Sequence, residues 1–410
     1  MRKIIFGEKL DCDYRRTCYG IVMHDGKFLV TYNEKTTEYS LVGGGVEKGE
    51  SLTDFIKREF IEESGFYINR IQEYINIDCF WIRRNGTPME TDANFYLIQV
   101  DLKNKILELK KERNAVIMAH YYTIGEIQDI ADFVGDSLYL AQKAATTDAD
   151  VIVICGVHFM GETAKILSPE KVVLVPDASA GCSLADSCNA TEFKTFIDQH
   201  PGYKVLSYVN TTAAVKALTD VVVTSSNAVQ IVESFPKDEK IIFGPDRNLG
   251  NYINSVTGRN MLLWNGCCHV HEQFSIRKLL ALKEIYPNAK LLVHPECKDS
   301  IVKLADCVGS TAALLKFAVN SDVNEFLVAT EAGILHEMKK QAPNKLFIPV
   351  PPEDSSCSCN DCSYMKLNTL EKLYACLKNN QPEINVDSAI LDRARLPIVK
   401  MLEISEKLGL

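Results

Sequence analysis

Val116-Ile117-Met118-Ala119-His120 is an apolar run that ends in a polar residue, and the chain repeats this plan at Lys204-Val205-Leu206-Ser207-Tyr208 and Lys290-Leu291-Leu292-Val293-His294. The tips of the three runs lie 88 and 86 residues apart. Between them, short β-rich runs alternate with helical patterns, which is typical of parallel βαβ layers. The near-constant interval predicts three copies of one αβ unit arranged around a shared axis.

Three further sets of residues keep almost the same interval. They are Ser137, Ser225 and Ser310 (88 and 85 apart), Gly156, Gly244 and Thr330 (88 and 86 apart), and Cys182, Cys268 and Cys362 (86 and 94 apart). Because repeats of one unit bring equivalent loops together, the three cysteines are expected to meet. Three thiolates in one place indicate a metal or iron–sulfur site with one coordination position left open.

The bulk composition limits the class of protein. A chain of 410 residues with 46% apolar content predicts two to four globular domains. The net charge of −9 argues against a nucleic-acid polymer as partner, since phosphate contacts need clustered Lys and Arg. No apolar run is long enough to span a bilayer, and Met1–Ile5 shows no signal-peptide pattern. We therefore expect a cytoplasmic protein.

Fourteen cysteines in a reducing compartment predict ligation or core packing rather than a disulfide framework. Cys155, Cys307 and Cys376 sit inside apolar runs and are interpreted as core residues. The others that matter gather in polar loops, which indicates ligation. They are Cys182 with Cys188, Cys267 with Cys268, and Cys357 with Cys359 and Cys362.

The first hundred residues predict a separate small α/β unit. The turn His24-Asp25-Gly26 between two apolar runs is a hairpin signal. After the loop Gly43-Gly44-Gly45, Ser51 is expected to cap a helix that ends at Gly65. Leu102–Lys105 is interpreted as the junction, with a new helix starting at Ile106.

This helix carries an acidic box, Gly44-x5-Glu50-x7-Arg58-Glu59-Phe60-x-Glu62-Glu63-x-Gly65-Phe66. Its last three glutamates stand at i, i+3 and i+4 and share one helix face. Crowded carboxylates are unfavourable unless a cation neutralises them, and oxygen ligands suit Mg²⁺ or Mn²⁺, which can bridge to a diphosphate. The plain alternative is an acidic, solvated helix face.

The box resembles that of Nudix hydrolases, over residues 13–101. The resemblance implies an α/β sandwich, metal ligation by Glu59, Glu62, Glu63 and Gly44, and hydrolysis of a nucleoside diphosphate derivative by metal-activated water. Family members carry a second helix, whereas little chain separates Trp81 from the next domain. A complete and a truncated sandwich both stay open. So do an active hydrolase and a sensor of NAD, ADP-ribose or a related nucleotide.

The remainder of the chain, residues 102–410, resembles quinolinate synthases of the NadA type. The resemblance is carried by Ala119-His120-Tyr121-Tyr122, Gly135-Asp136-Ser137, Gly156-Val157-His158, Tyr208-Val209-Asn210, Thr224-Ser225-Ser226, Gly244-Pro245-Asp246-Arg247, His294-Pro295-Glu296-Cys297, Gly309-Ser310-Thr311 and Met365-Lys366-Leu367-Asn368. It implies three pseudo-threefold-related αβα layers. The predicted domains are 1–101 and 102–410, the latter with approximate repeats 102–185, 186–270 and 271–365 and C-terminal helices in 366–410.

The same resemblance implies a reaction and a cofactor. Iminoaspartate and dihydroxyacetone phosphate would condense to quinolinate in NAD biosynthesis, releasing phosphate and two waters. Cys182, Cys268 and Cys362 would hold a 4Fe–4S cluster whose unligated iron acts as a Lewis acid. An aspartate oxidase or aspartate dehydrogenase would supply the iminoaspartate.

Site roles follow from the resemblance too. The implied catalytic residues are His120, Tyr122, Tyr208 and Glu296, and the implied substrate-binding residues are Ser137, Asn210, Ser225, His294, Ser310 and Thr311. Bland readings stand beside them, because a histidine at a strand tip is often structural and Ser137 or Ser225 can cap a helix. Support and function stay equally open for His158, His269, His271 and His336.

Four alternatives remain at this point. Cys267 adjoins Cys268, so either could be the ligand from the second repeat, and Cys268 is favoured. Cys359 and Cys362 could form a reversible disulfide that removes a cluster ligand. The chain could also be a regulator without catalysis, or its cysteines could hold a structural zinc. Single cysteines nearly ninety residues apart do not fit the paired spacing usual for zinc.

Overall fold

A computed structural model describes residues 13–24, 27–33, 38–82, 87–354 and 360–409. The chain divides into two compact units, Met1–Leu107 and Glu108–Leu410. Within the described residues, no helix combines the length and apolar character that crossing a membrane requires.

The elements of the N-terminal unit are β1 (Asp13–Ile21), β2 (Met23–His24), β3 (Lys27–Phe28), β4 (Thr31–Asn33), β5 (Glu38–Ser40), β6 (Val42–Gly45), α1 (Leu52–Ser64), β7 (Ile68–Ile82) and β8 (Pro88–Val100). The unit is built on a mixed four-stranded sheet of order β6-β1-β8-β7, in which β1 runs parallel to β8 and antiparallel to β6. The antiparallel pair β2–β3 confirms the predicted hairpin. Its turn residues Asp25 and Gly26 lie outside the described residues.

Both predicted ends of α1 are confirmed. Ser51 is the N-cap and accepts the backbone N–H of Asp54, while Gly65 ends the helix at φ +76°. The left-handed conformation favours glycine because a Cβ is disfavoured there. Helix α1 buries its apolar face on the sheet, in a core whose buried members are Cys18, Val42, Phe55, Ile56, Phe60, Tyr96 and Ile98.

The predicted junction was wrong in one respect. Helix α2 (Leu102–Glu112) begins at Leu102 rather than at Ile106 and crosses the boundary between the units. Its early start has a local cause, since the Asp101 carboxylate accepts the backbone N–H of Asn104 at 3.1 Å and the Asn104 side chain at 2.6 Å. The described residues of the N-terminal unit contain helix α1 and the first residues of α2.

The C-terminal unit contains three parallel four-stranded sheets with one strand order, in which the first strand of each repeat lies between the second and the third. This confirms the three predicted αβα layers. The strands are β9 (Ala115–His120), β10 (Phe133–Gly135), β11 (Val151–Cys155), β12 (Val172–Leu174), β13 (Lys204–Tyr208), β14 (Val221–Val223), β15 (Ile241–Gly244), β16 (Leu262–Leu263), β17 (Lys290–Val293), β18 (Cys307–Val308), β19 (Glu325–Ala329) and β20 (Leu346–Pro349).

Helices connect these strands and flank the sheets. They are α3 (Gly125–Ile130), α4 (Ser137–Thr146), α5 (His158–Leu167), α6 (Ser183–Asp186), α7 (Ala190–Asp198), α8 (Ala213–Lys216), α9 (Ala228–Glu233), α10 (Arg247–Thr257), α11 (His269–Glu272), α12 (Ile276–Ile285), α13 (Asp299–Val302), α14 (Thr311–Asn320), α15 (Ile334–Gln341), a 3₁₀ turn (Met365–Leu367), α16 (Leu370–Asn379) and α17 (Ser388–Leu408). The long C-terminal α17 packs on helices and a strand of the first two repeats.

One side-chain bond recurs in every repeat and holds the first strand in place. An aspartate carboxylate accepts the backbone N–H of the strand's apolar residue at 2.8 Å in all three copies. The pairs are Asp132 with Ile117, Asp220 with Val205, and Asp306 with Leu291. Buried backbone donors need partners, so these aspartates secure the strands whose ends carry the polar tips.

Candidate functional site

A cavity lies among the loops at the carboxyl ends of the strands in the C-terminal unit. All three repeats contribute side chains to it. The polar lining includes His120, Tyr122, Ser137, Cys182, Ser183, Tyr208, Asn210, Ser225, Cys268, His269, His271, His294, Glu296, Thr311, Glu331 and Cys362. Ligands bind at this edge of parallel sheets because the loops there are not constrained by strand pairing.

The two strand-tip histidines that line the cavity use their Nδ1 atoms in the same way. His120 Nδ1 accepts the backbone N–H of Tyr122 at 3.2 Å, and His294 Nδ1 accepts that of Glu296 at 3.4 Å. Burial lowers the pKa of each histidine to about 3. Both rings are therefore neutral near pH 7, and the network assigns their proton to Nε2. Each can donate one hydrogen bond to an oxyanion.

Glu296 is buried at the centre of the cavity wall. Its Oε1 accepts the Tyr208 hydroxyl at 2.6 Å, and its Oε2 lies 3.2 Å from His271 Nδ1. Burial alone would raise the pKa of Glu296, but His271, His294 and these hydrogen bonds lower it to about 2. Because His294 is itself neutral, His271 and Tyr208 are the partners that keep Glu296 ionised.

A chain of hydroxyls joins the first repeat to the third. The Tyr122 hydroxyl lies 2.9 Å from Thr311 Oγ1 and 2.7 Å from Thr330 Oγ1. Thr330 in turn lies 3.0 Å from His271 Nε2. Burial raises the pKa of Tyr122 well above its ordinary value, so this phenol is a proton donor rather than a phenolate near neutral pH.

The loops that carry these groups are tied down by matched side chains. Gln128 Nε2 donates to the carbonyls of Tyr121 and Thr123 at 2.9 Å each. Eighty-eight residues on, Lys216 Nζ donates to the carbonyls of Val209, at 2.9 Å, and of Thr211. Both donors are almost fully buried. The same clamp therefore fixes the loops after β9 and β13.

Each cavity cysteine is anchored by the same backbone bond. The carbonyl two residues before the cysteine accepts an N–H from the loop after the third strand of its own repeat. The bonds are His158 N–H to Ala180, Arg247 N–H to Gly266, and Ala332 N–H to Asn360, at 2.7, 2.9 and 3.3 Å. This recurrence makes the cysteine loops equivalent although their connecting segments differ in length.

Two of the three cavity cysteines have a further backbone anchor. Asp246 Oδ2 accepts the N–H of Cys268 at 3.2 Å, and Glu331 Oε1 accepts the N–H of Cys362 at 3.0 Å. Val157 stands at the equivalent place beside Cys182 and offers no carboxylate. Burial raises the pKa of Glu331 to about 7, although Lys366, whose Nζ lies 2.8 Å from its carboxylate, opposes the shift.

The cysteine loops also contact one another. Ser183 Oγ lies 2.6 Å from His269 Nδ1, and the rings of His269 and Tyr364 meet edge to face at 6.1 Å between centroids. These residues follow Cys182, Cys268 and Cys362 by one or two positions. Loop-to-loop contacts of this kind fix the three thiols relative to each other.

The donor set fits an iron–sulfur centre. Burial raises the pKa of all three thiols, to about 12 for Cys182, so holding them as thiolates requires a positive group among them. In the part of the chain that the structure describes, these thiols do not form a trio within 4.8 Å. They are spread around one cavity, which suits a polynuclear centre better than a single ion.

Most of the sequence-predicted residues line this cavity. Ser137 and Ser225 line it, and neither is an N-cap, since Asp136 and Asn227 hold those positions. Ser310 instead caps α14 by accepting the N–H of Ala313 at 3.3 Å.

The choice between Cys267 and Cys268 as a ligand is narrowed, because Cys268 lines the cavity and Cys267 is not among the lining residues described. Cys357 and Cys359 lie outside the described residues, so the predicted disulfide stays a prediction. Sequence reasoning missed Asp246, Thr330 and Glu331 as site residues. Thr330 already stood in one of the regular sets, and that signal could have found it.

The acidic box of the N-terminal unit forms an ordered ion-pair network on α1. Arg58 bonds Glu50 at 3.1 Å, Glu59 at 2.8 Å and Glu62 at 3.1 Å. Glu63 accepts the backbone N–H of Gly43 at 3.0 Å. The predicted loop Gly43-Gly44-Gly45 is instead part of strand β6, and Gly43, at φ +131°, lies so close to β1 that a Cβ would lie 2.2 Å from the Cys18 carbonyl oxygen.

Gly44 of the same strand lies near one of the carboxylates. A Cβ at Gly44 would lie 3.9 Å from Glu59 Oε1. Backbone and carboxylate oxygens at one helix face fit a hard divalent cation. Arg58 forms ion pairs with the carboxylates of Glu59 and Glu62, which are also two of the predicted metal ligands.

Three layers of one repeated αβα unit around a buried cavity of thiols, imidazoles and a carboxylate define an enzyme of the parallel α/β class. Residues 104–403 match the family model described as "Quinolinate synthetase A protein" (NadA). The chain belongs to this family.

Curated relatives agree. The chain is 55% identical over 310 residues to a protein from Chloroherpeton thalassium named "Quinolinate synthase", covering 76% of this chain and 96% of that one. It is 57% identical over 305 residues to the protein of that name from Synechocystis, covering 74% and 96%.

Solved structures resemble the N-terminal unit. A Nudix hydrolase from Nitrosomonas europaea has 20% identity and a TM-score of 0.18, and the match covers 21% of this chain and 60% of that one. A MutT Nudix hydrolase from Burkholderia pseudomallei has 22% identity and a TM-score of 0.18, covering 22% and 74%. Since these TM-scores are below 0.5, the assignment of this unit rests on its own box and geometry.

Proposed function

We propose that the C-terminal unit condenses iminoaspartate with dihydroxyacetone phosphate to quinolinate, with release of phosphate and two waters. The observation that carries this proposal is the convergence of one cysteine from each repeat on a cavity that also holds Glu296, Tyr208, Tyr122 and two neutral imidazoles. The family match supports the product.

Cys182, Cys268 and Cys362 would hold a 4Fe–4S cluster. When bound, the cluster would supply a Lewis-acid iron for substrate carboxylate, nitrogen or a leaving hydroxyl. The role of the chain at this site is to keep three thiolates in register. The equivalent backbone bonds to Ala180, Gly266 and Asn360 support that role.

Proton movement falls to the hydrogen-bonded groups. Glu296, held ionised, would take a carbon-bound proton during enolisation, and the Tyr208 hydroxyl, 2.6 Å from it, would return one. Tyr122, protonated and joined to Thr311 and Thr330, would deliver a proton to a departing hydroxyl. Each step uses a group whose protonation state follows from its burial and partners.

Anion binding falls to donors on the remaining wall. Nε2–H of His120 and of His294, the hydroxyls of Ser137, Ser225 and Thr311, and the amide of Asn210 would hold carboxylate and phosphate oxygens. Neutral donors suit this task because they bind oxyanions without forming a fixed ion pair that would hinder release.

Anaerobic assay of the purified full-length chain tests the proposal. Quinolinate formation from iminoaspartate and dihydroxyacetone phosphate is expected, together with the broad visible absorption of an iron–sulfur cluster. Cys182→Ala should lose both, whereas Cys267→Ala should keep both. Activity that persists in Cys182→Ala without the absorption would contradict the assigned chemistry.

For the N-terminal unit we propose binding of Mg²⁺ or Mn²⁺ by Glu59, Glu62, Glu63 and the Gly44 backbone, and through it a nucleoside diphosphate derivative. The shared helix face and the approach of the glycine-rich strand β6 support this. Hydrolysis and sensing are the two outcomes to separate.

Release of a mononucleotide from NAD or ADP-ribose in the presence of Mn²⁺ would indicate hydrolysis. Altered quinolinate kinetics with the same nucleotides, without their consumption, would indicate sensing. Neither effect at millimolar nucleotide would contradict both roles.

A further inference from the structure

One compact trio of metal-type donors stands out among the residues that the structure describes. The Sγ of Cys268, a ring nitrogen of His271 and a carboxylate oxygen of Glu296 all lie within 4.8 Å of one another. His271 Nδ1 is 3.3 Å from the sulfur and 3.2 Å from Glu296 Oε2. Such spacings are those of ligands around a single ion.

Each member of the trio is oriented by a second partner. His271 Nε2 bonds Thr330 Oγ1 at 3.0 Å, which leaves Nδ1 directed at the sulfur and the carboxylate. Glu296 Oε1 accepts the Tyr208 hydroxyl at 2.6 Å, while Oε2 is the carboxylate oxygen next to His271 Nδ1. The Cys268 N–H bonds Asp246 at 3.2 Å. Ligands supported in this way are preorganised, and outer partners of this kind are usual at protein metal sites.

The chemistry of the donors selects the class of ion. Thiolate, imidazole and carboxylate together suit Zn²⁺ and related ions such as Co²⁺, whereas Mg²⁺ and Ca²⁺ prefer oxygen ligands alone. Three protein ligands leave the fourth tetrahedral position open. All three residues line the substrate cavity, so a fourth ligand would come from the cavity.

We propose that the cluster-free chain binds one zinc-class ion through Cys268, His271 and Glu296. This inference rests on the proposed function, because Cys268 is also assigned to the cluster. Ion and cluster therefore exclude each other, and a zinc-class ion blocks cluster loading at Cys268. The bound ion also takes Glu296 out of its role as a base, so the metallated chain is inactive in condensation.

Cobalt serves as the spectroscopic probe. The full-length chain is stripped of its cluster by anaerobic chelation and titrated with Co²⁺. Binding of one Co²⁺ per chain is expected, with a sulfur-to-cobalt charge-transfer band and the visible bands of tetrahedral cobalt, all bleached by Zn²⁺. Absence of these bands in the wild-type chain would overturn the inference.

Variants separate this site from a site on three thiols. Cys268→Ala should abolish the charge-transfer band, and His271→Ala and Glu296→Gln should weaken Co²⁺ binding by about tenfold or more. Cys182→Ala, Cys362→Ala and the neighbouring Cys267→Ala should bind Co²⁺ as the wild type does. Loss of binding in Cys182→Ala or Cys362→Ala, or normal binding in His271→Ala, would overturn the proposed ligand set. Circular dichroism on each variant confirms that the fold is retained.

A parallel arm keeps the two proposals distinguishable. The same stripped chain is reconstituted with iron and sulfide, with and without prior Zn²⁺, and its cluster absorbance and quinolinate formation are measured. Zn²⁺ should prevent reconstitution in the wild type. A chain that regains cluster and activity but never binds Co²⁺ would refute this inference alone. A chain that binds Co²⁺ as expected but takes up no cluster would refute the proposed cofactor alone.

Discussion

Glu59, Glu62 and Glu63 lie within five residues on one helix, whereas Cys182, Cys268 and Cys362 come from three repeats separated by 86 and 94 residues. The glutamates are hard oxygen donors, and the side chain of Glu62 is 58% exposed. The cysteines are soft donors in a buried cavity and are anchored by backbone bonds. The first set is organised by helix geometry alone, and the second by the packing of a whole domain.

The two sites are therefore expected to respond differently to substitution. A charge change in the exposed box meets solvent screening and alternative oxygens, so its effect is moderate. In the cavity, several polar groups are bonded to one another, as Glu296 is to Tyr208 and Thr330 is to His271, and removing one leaves another unpaired at a large cost. Substitutions in the cavity are therefore expected to have larger effects than substitutions in the box.

Glu296→Gln should give the largest effect. The amide keeps the shape but cannot act as a base, so kcat for quinolinate formation is expected to fall by about 10²–10⁴-fold. The cluster absorbance should persist because Glu296 is not one of the three proposed cluster ligands. Glu337→Gln, also buried, serves as the control and should retain activity. Full activity in Glu296→Gln would remove this carboxylate from the reaction and narrow the contrast between the two sites.

Thr330→Val probes the hydroxyl that joins two residues of the cavity. Valine preserves the shape but leaves the Tyr122 hydroxyl with Thr311 alone and His271 Nε2 without a partner. Since an unpaired buried polar group costs about 1–3 kcal/mol, a fall in kcat of about tenfold or more is expected. Thr257→Val, which removes a buried hydroxyl bonded within α10, should leave the anaerobic steady-state kinetics unchanged.

Glu59→Gln tests the exposed site. Loss of one carboxylate charge should weaken Mn²⁺ binding by about tenfold, as followed by the electron paramagnetic resonance of free Mn²⁺. Glu47→Gln, an exposed acid outside the metal-binding trio, is the matched control. Quinolinate formation without added nucleotide should be unaffected in both variants. Undiminished Mn²⁺ binding in Glu59→Gln would reduce the box to a solvated acidic face.

Lys216→Met should have the smallest effect, on stability rather than chemistry. It leaves the carbonyls of Val209 and Thr211 without their buried donor, and a loss of about 1–3 kcal/mol in the unfolding free energy of the C-terminal unit is expected. Lys216→Gln copies the solution of the first repeat, where Gln128 makes the equivalent bonds, and should recover part of the loss. Urea unfolding followed by near-ultraviolet circular dichroism measures both variants. Equal stability of Met and wild type would show that the clamp contributes nothing.

Prediction from sequence succeeded where a signal is local or periodic. Ser51 and Gly65 were located as the ends of α1 because capping depends on a few adjacent residues. The three parallel layers were predicted because the interval recurs. The start of α2 was misplaced because the stretch Leu102–Lys105 was interpreted as a junction, whereas Asp101, directly before it, caps the first turn of the helix.

Prediction failed where a role depends on distant partners. Thr330, counted only as a spacing marker, joins Tyr122 to His271. Glu331 anchors Cys362 across a gap of 31 residues. Periodicity predicts that a residue is equivalent to another, but it does not predict which atoms it will reach.

From its sequence alone, this protein has an acidic helix face, a threefold α/β plan and one cysteine in each repeat, because helix period and repeat interval are properties of the linear chain. Only the tertiary structure decided that Cys268 rather than Cys267 lines the cavity and that Cys268, His271 and Glu296 form a compact trio. The physical reason is that these meetings are made by loops closing over long stretches of chain, and angstrom-scale approach is set by packing and hydrogen bonding rather than by residue order.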